Sequence, residues 1–191
     1  EVLEFYNKTV EKLKDFFTMI KSSGECLLQE VNDLLDSSKM EHGSMAYNFK
    51  EENIIDLLNS IEAEFTCIMQ GKKLLFNNSF ESPPLLATVD EFRFRQVLRN
   101  LLSNAIKYSP SESSISISVM VKNENIRIRI SDQGPGIPSE KLMTIFDKYT
   151  QVGGDDCIQG TGLGLYICRE IILAHQGEIY AANTAEGSCF T

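Results

Sequence analysis

The chain has 191 residues, 42% of them hydrophobic, and a net charge of −9 at pH 7. That size and apolar fraction suit one α/β domain with a smaller attached element, and the acidic balance argues against a nucleic-acid partner, whose binding rests on basic surface. Five cysteines, an odd number without paired spacing, point to a reducing compartment rather than a disulfide framework or a metal cluster.

From Val10 to Met40 there is no proline and one glycine, Gly24. Leu13, Phe16, Phe17, Ile20, Leu27, Leu28, Val31, Leu34 and Leu35 recur at helical spacing and predict a long amphipathic helix. A lone helix cannot bury such a face, so it needs a partner within the chain or across a dimer. No run reaches transmembrane length and no signal-peptide pattern is visible. His42 follows in a linker. A short strand is expected over 46–50, a helix over 53–69, and strands over 73–80 and 86–89 separated by Pro83-Pro84.

Asp90 is a plausible N-cap for the next helix, whose apolar stripe is Val97, Leu98, Leu101, Leu102, Ala105 and Ile106. Asn100 and Asn104 are four apart and share a face, with Lys107 three and Tyr108 four beyond Asn104. Amide oxygens are hard ligands suited to Mg²⁺, and a lysine offers a point charge to phosphate. The alternative is a polar, solvated helix face. A hairpin of strands over 115–121 and 126–130 then leads to Asp132, followed by Gly134, Gly136 and Ile137. A carboxylate at a strand end beside glycines can accept a hydrogen bond from a base amino group, and Ile137 can pack on a ring; an ordinary Asp-Gly turn reads equally well. A short helix is expected to end at the aromatic pair of Ile145-Phe-Asp-Lys-Tyr149, before a polar loop able to close as a lid.

The run Gly160-Thr-Gly-Leu-Gly164 feeds directly into an apolar helix pattern. Such a turn aims free N–H groups and the positive end of the helix dipole at one point, which suits a phosphate. Cys168 reads as a small core residue of that helix and His175 as its C-terminal end. Strands over 179–182 and 189–191 close the sequence.

The four segments around Asn100/Asn104, Asp132–Gly136, Phe146 and Gly160–Gly164, in this order and spacing, resemble the N, G1, F and G2 boxes of sensor histidine kinases in the GHKL ATPase superfamily, over roughly residues 45 to 191. The resemblance implies an α/β fold, a two-layer α/β sandwich (Bergerat or GHKL ATP-binding fold) with one mixed sheet and helices on one face, preceded by the second helix of a dimerisation and phosphoacceptor hairpin over residues 1–44. It implies ATP and Mg²⁺ as ligands, with Asn104 on the metal and Asn100 beside it. Lys107 would meet phosphate, Tyr108 would sit by the nucleotide, and Asp132 would read the adenine amino group. Gly134 and Gly136 would make room for the base with Ile137 on the ring, Phe146 would anchor the lid, and Gly160, Thr161, Gly162, Leu163 and Gly164 would line the phosphates.

The expected partners are ATP, a second copy through the N-terminal helix, and a response regulator receiver domain, in a cytoplasmic setting that leaves membrane anchorage of the full protein open. The expected activity is γ-phosphoryl transfer to a histidine outside this chain, because neither His42 nor His175 sits where an acceptor belongs. One departure is that no basic residue falls between Tyr149 and Gly160, where Asp155 and Asp156 stand; Lys148 is the nearest cation. The alternative is a GHKL module that acts by dimerisation without kinase activity. A hydrolytic gyrase-type or chaperone-type ATPase is disfavoured, because the helix from Gln96 to Tyr108 carries no carboxylate to activate water.

Overall fold

A computed structural model describes residues 2–80, 84–152 and 161–191. The chain divides into two units, Glu1–Ser44 and Met45–Thr191. The first is one helix, α1 (Val2–Glu41), which runs through Gly24 without a break. Its apolar residues stand in solvent, Phe16 62%, Ile20 65%, Leu27 63% and Leu34 55% exposed.

The second unit runs β1 (Lys50–Asn53), α2 (Ile54–Lys72), β2 (Leu75–Phe80), β3 (Leu86–Val89), α3 (Glu91–Tyr108), β4 (Ser114–Lys122), β5 (Asn125–Ser131), α4 (Gly164–Ala174), β6 (Ala181–Asn183) and β7 (Ser188–Phe190). The expected single sheet is two. β1 and β3 form an antiparallel pair of their own, while the main sheet has the order β2-β4-β5-β7-β6. Within it β2 pairs parallel to β4 and the remaining pairs are antiparallel, which makes the sheet mixed as expected. The β1–β3 junction includes a contact between residues far apart in sequence. Asn53 ends β1, and its Oδ1 accepts the N–H groups of both Ile55 and Leu85, which turns the chain into α2 and seats the start of β3 beside β1.

Period-two patterning decides the layers. On β4, Ile115, Ile117 and Val119 are buried and alternate with half-exposed Ser114, Ser116 and Ser118. The helices carry matching buried stripes: Leu58 and Ile61 of α2, Leu98 and Leu102 of α3, Ile167 and Ile171 of α4. The β4–β5 hairpin turns at Asn123 and Glu124, both with positive φ (51° and 65°), the conformation that suits a two-residue turn between right-twisted strands. Several boundaries shift by a few residues, and two differences matter more. The first strand starts at Lys50 rather than residue 46, and the segment holding Ile145 and Phe146 is a run of turns, not a helix. Its bonds are mostly i to i+3, as in Thr144 N–H to Lys141 O (2.9 Å) and Asp147 N–H to Thr144 O (2.9 Å).

Candidate functional site

Helix α3 is the wall on which the site is built. Asp90 caps it, its Oδ1 accepting the Arg93 N–H at 3.0 Å, and the stripe from Phe94 to Ile106 turns into the core. That rotation leaves Asn100 and Asn104 half-buried and Lys107 exposed. The Asn100 amide donates to the Gly164 carbonyl at 3.3 Å, across 64 residues of sequence, and so fixes the start of α4 against the middle of α3. One turn further on, the Asn104 amide has no hydrogen-bond partner among the described residues and is open to solvent or a ligand. The Lys107 ammonium lies 5.3 Å from the Tyr108 ring centroid. Burial lifts the Tyr108 phenol above its ordinary value, so the ring stays uncharged at neutral pH.

The loop after β5 closes on the C-terminal end of the same helix. Asp132 is 5% exposed. Its Oδ1 accepts the N–H groups of Gly134 (2.8 Å) and Ser188 (3.4 Å), and its Oδ2 accepts the Ser188 hydroxyl. A carboxylate offers roughly four acceptor positions, so about one is left open. Gly134 is required here, because a Cβ would stand 2.8 Å from Asp132 Oδ1 and 3.0 Å from the Tyr108 carbonyl. Gly187 is tighter still, with a Cβ 2.3 Å from the Asp132 carbonyl oxygen. Ser188 and Gly187 escaped the sequence reading, which began the last strand at residue 189. The signal available was a pair of small residues, Gly187-Ser188, opening the strand that pairs beside Asp132.

The glycine turn approaches from the other side. Gly162 has φ +70°, and a Cβ there would stand 2.7 Å from the Tyr149 carbonyl carbon. Its own carbonyl accepts the Tyr149 N–H at 3.0 Å. Leu163 is fully buried and presents only backbone, its N–H donating to Thr161 Oγ1 at 3.3 Å. The first intrahelical bond of α4 is Ile167 N–H to Leu163 O, which leaves the N–H groups of Gly164, Leu165 and Tyr166 without helical acceptors. Among the described residues no side chain caps this end, and no acidic residue lies in its first turn, whereas α2 and α3 each have both. An uncapped end with an uncompensated dipole is suited to an anion. The Lys148 ammonium lies 4.5 Å from the ring centroid of Tyr166 in that first turn.

Asn100, Asn104, Lys107, Tyr108, Asp132, Gly134 and the Gly162–Gly164 turn therefore come together around α3. Ile137 and Gly136 follow in the half-buried loop. Phe146 is placed differently: it is 6% exposed and meets Phe190 edge to face at 6.3 Å, so it supports the segment from beneath. Gly160, Asp155 and Asp156 lie outside the described residues.

The histidines have other work. His175 Nδ1–H donates to the Ile171 carbonyl at 2.7 Å and Nε2 accepts the Asp90 N–H at 3.0 Å, with the ring packed among Tyr47, Phe49 and Phe94. Both nitrogens are thus engaged. His42 Nδ1 donates to the Ser38 carbonyl at 2.7 Å, at the end of α1.

The family described as histidine kinase-, DNA gyrase B-, and HSP90-like ATPase matches residues 89–191. The sensor histidine kinase TmoS of Ectopseudomonas mendocina is 34% identical over 175 residues, 90% of this chain and 18% of that protein. Among solved structures, the Acinetobacter baumannii histidine kinase AdeS superposes with a TM-score of 0.75 at 29% identity, covering 91% of this chain and 80% of that one. Histidine kinase ThkA, solved in complex with response regulator protein TrrA, gives 0.73 at 26% identity over 93% of this chain and 49% of that one. The chain spans between 12% and 50% of the length of the curated relatives it matches.

Proposed function

Since the chain belongs to the histidine kinase-, DNA gyrase B- and HSP90-like ATPase family and carries the ATP-binding catalytic domain of a histidine kinase, we propose that it holds Mg-ATP between α3 and α4 for transfer of the γ-phosphoryl group to a histidine outside residues 1–191. The observation that carries this is the pairing of an unpartnered, half-buried Asn104 amide with the uncapped start of α4, joined through Asn100. Asn104 Oδ1 would take a magnesium position, and the α4 amides with Gly162 and Thr161 would take phosphate oxygens. The metal would neutralise phosphate charge, and catalysis would consist mainly of positioning and charge stabilisation. Asp132, with its one remaining acceptor position, would meet the adenine amino group, and Ile137 the face of the ring. Lys107, whose ammonium lies by the Tyr108 ring, and Lys148, by the Tyr166 ring, would be the cations available to phosphate.

The wider setting is proposed on the same footing. Residues 1–44 would be the second helix of a dimerising hairpin, with the exposed apolar face of α1 covered by a second copy. A response regulator would receive the phosphoryl group, as the ThkA complex with TrrA suggests. Among the described residues no helix is long and apolar enough to cross a membrane. The odd number of cysteines, without paired spacing, is the sequence feature behind a cytoplasmic setting.

The test is direct. Titrated with Mg-ATP, the 191-residue chain should bind nucleotide; incubated with γ-labelled ATP, it should not label itself. Adding a polypeptide that contains a complete phosphoacceptor hairpin helix should produce acid-labile phosphate on that polypeptide. Acid-labile label on His42 or His175 would overturn the assignment of the acceptor.

A further inference from the structure

Asn183 closes β6, and its side chain reaches the loop after β5. Its Nδ2 donates to the Ile137 carbonyl at 2.7 Å, and its Oδ1 accepts the Ile137 N–H at 2.8 Å. One side-chain amide thus satisfies both backbone groups of one residue, as a neighbouring strand would, although Ile137 belongs to no strand. Gly136 makes the approach possible: it has φ +76°, and a Cβ there would stand 3.1 Å from Asn183 Oδ1. The near end of the same loop is held separately by Asp132, through the Gly134 N–H. The loop is therefore pinned at two points, by a carboxylate at its start and by an amide three residues later. Both Asn183 bonds are solvent-exposed. Exposed hydrogen bonds contribute little to global stability, so their main effect is to fix the geometry of Ile137.

We infer that Asn183 is a positioning residue for the base end of the nucleotide site, holding Ile137 against the ring of a 6-aminopurine while Asp132 meets its edge. This rests on the reading of residues 132–137 as the base pocket. The phosphate end is fixed by other contacts, Asn100 to Gly164 and Gly162 to Tyr149, none of which involves Asn183. Loss of the clamp should therefore blur the choice of base and leave phosphate binding intact.

The 191-residue chain serves as wild type, with N183A, N183D and G136A as variants. Amide hydrogen exchange is measured without nucleotide, and affinities for Mg-ATP and Mg-ITP by calorimetry. In N183A the Ile137 amide should exchange about tenfold faster while the α3 and α4 amides are unchanged. Mg-ATP should weaken about fivefold and Mg-ITP less than about twofold, so that the ATP/ITP preference narrows. N183D keeps the acceptor for the Ile137 N–H but loses the donor, and should fall between wild type and N183A. If N183A does not fold, N183D and G136A carry the same comparison. An unchanged ATP/ITP ratio, or equal losses for both nucleotides, overturns the inference while leaving the site reading in place. A wild-type chain that fails to bind Mg-ATP sinks the site reading itself, and the base role of Asn183 with it; the exchange rate of Ile137 then still decides whether the clamp exists.

Discussion

At the residue scale, two side chains differ from their surroundings in how their hydrogen-bonding capacity is used. Asn104 is half-buried and unpartnered among the described residues, whereas Asn100, one turn earlier, spends its amide on the Gly164 carbonyl. The two have distinct tasks although the sequence presents them as a pair. Asn104→Ala should abolish magnesium-dependent ATP binding without lowering the melting temperature, because no native bond is lost; calorimetry on the folded variant checks it, and unchanged Mg-ATP affinity would remove Asn104 from the metal site. Asp132 shows the opposite economy, with three donors already on its carboxylate. Asp132→Asn can still accept from Gly134 and Ser188 through its oxygen, but turns an N–H₂ toward the open position. ATP should lose about 1–3 kcal/mol of binding, whereas ITP, which carries a carbonyl in place of the amino group, should lose less. Equal losses would mean that Asp132 does not read the base.

At the element scale, the helix ends explain how one molecule stays folded and leaves one end free. Asp90 caps α3, its Oδ2 takes the Asn48 N–H at 2.7 Å, and its own N–H goes to His175 at the C-terminal end of α4. Three elements thus meet at one residue. Burial alone would raise the Asp90 carboxyl, but the bonds from the Asn48 and Arg93 amides and the Arg93 guanidinium outweigh it and hold it below the ordinary carboxylate range. A depressed folded-state value means that the carboxylate's contribution is complete above the unfolded value of about 3.9 and is lost as pH falls through the lower folded value. Asp90→Ala should therefore destabilise at neutral pH, by about 0.5–2 kcal/mol for the lost cap, and should flatten the acid limb of the stability curve below about pH 4. Denaturant melts between pH 2.5 and 7 would show it; parallel curves for wild type and variant would contradict it.

At the scale of the whole molecule, α1 carries an apolar face that nothing within Glu1–Ser44 can bury, with Phe16, Ile20, Leu27 and Leu34 more than half exposed. Fully burying one such side chain contributes about 1.5–3 kcal/mol, so several together favour association strongly. The chain should sediment as a dimer, and Leu27→Glu with Leu34→Glu should convert it to a monomer whose Mg-ATP affinity is unchanged, since every residue proposed for the nucleotide site lies beyond residue 44. A wild-type monomer in sedimentation velocity, or a double variant that remains dimeric, would rule out this face as the interface.

Local patterns were enough for the amphipathic α1, the amide-bearing α3 with its Asp90 cap, the β4–β5 hairpin and the glycine turn before α4, because period, capping chemistry and turn residues act over a few positions. The order and spacing of four segments carried the resemblance to sensor histidine kinases. Three things depended on contacts far apart in sequence. The first was the split of β1 and β3 from the main sheet, set by Asn53 reaching Leu85. The second was the replacement of the expected helix at Ile145–Phe146 by turns, where packing of Phe146 on Phe190 overrides local periodicity. The third was the support of the loop after β5 by Ser188 and Asn183, more than 45 residues away from it. A side chain that bonds a distant backbone leaves no periodic mark in its own neighbourhood. Such residues appear only when the sheet brings β6 and β7 beside the end of β5, and that closure is a property of the folded chain.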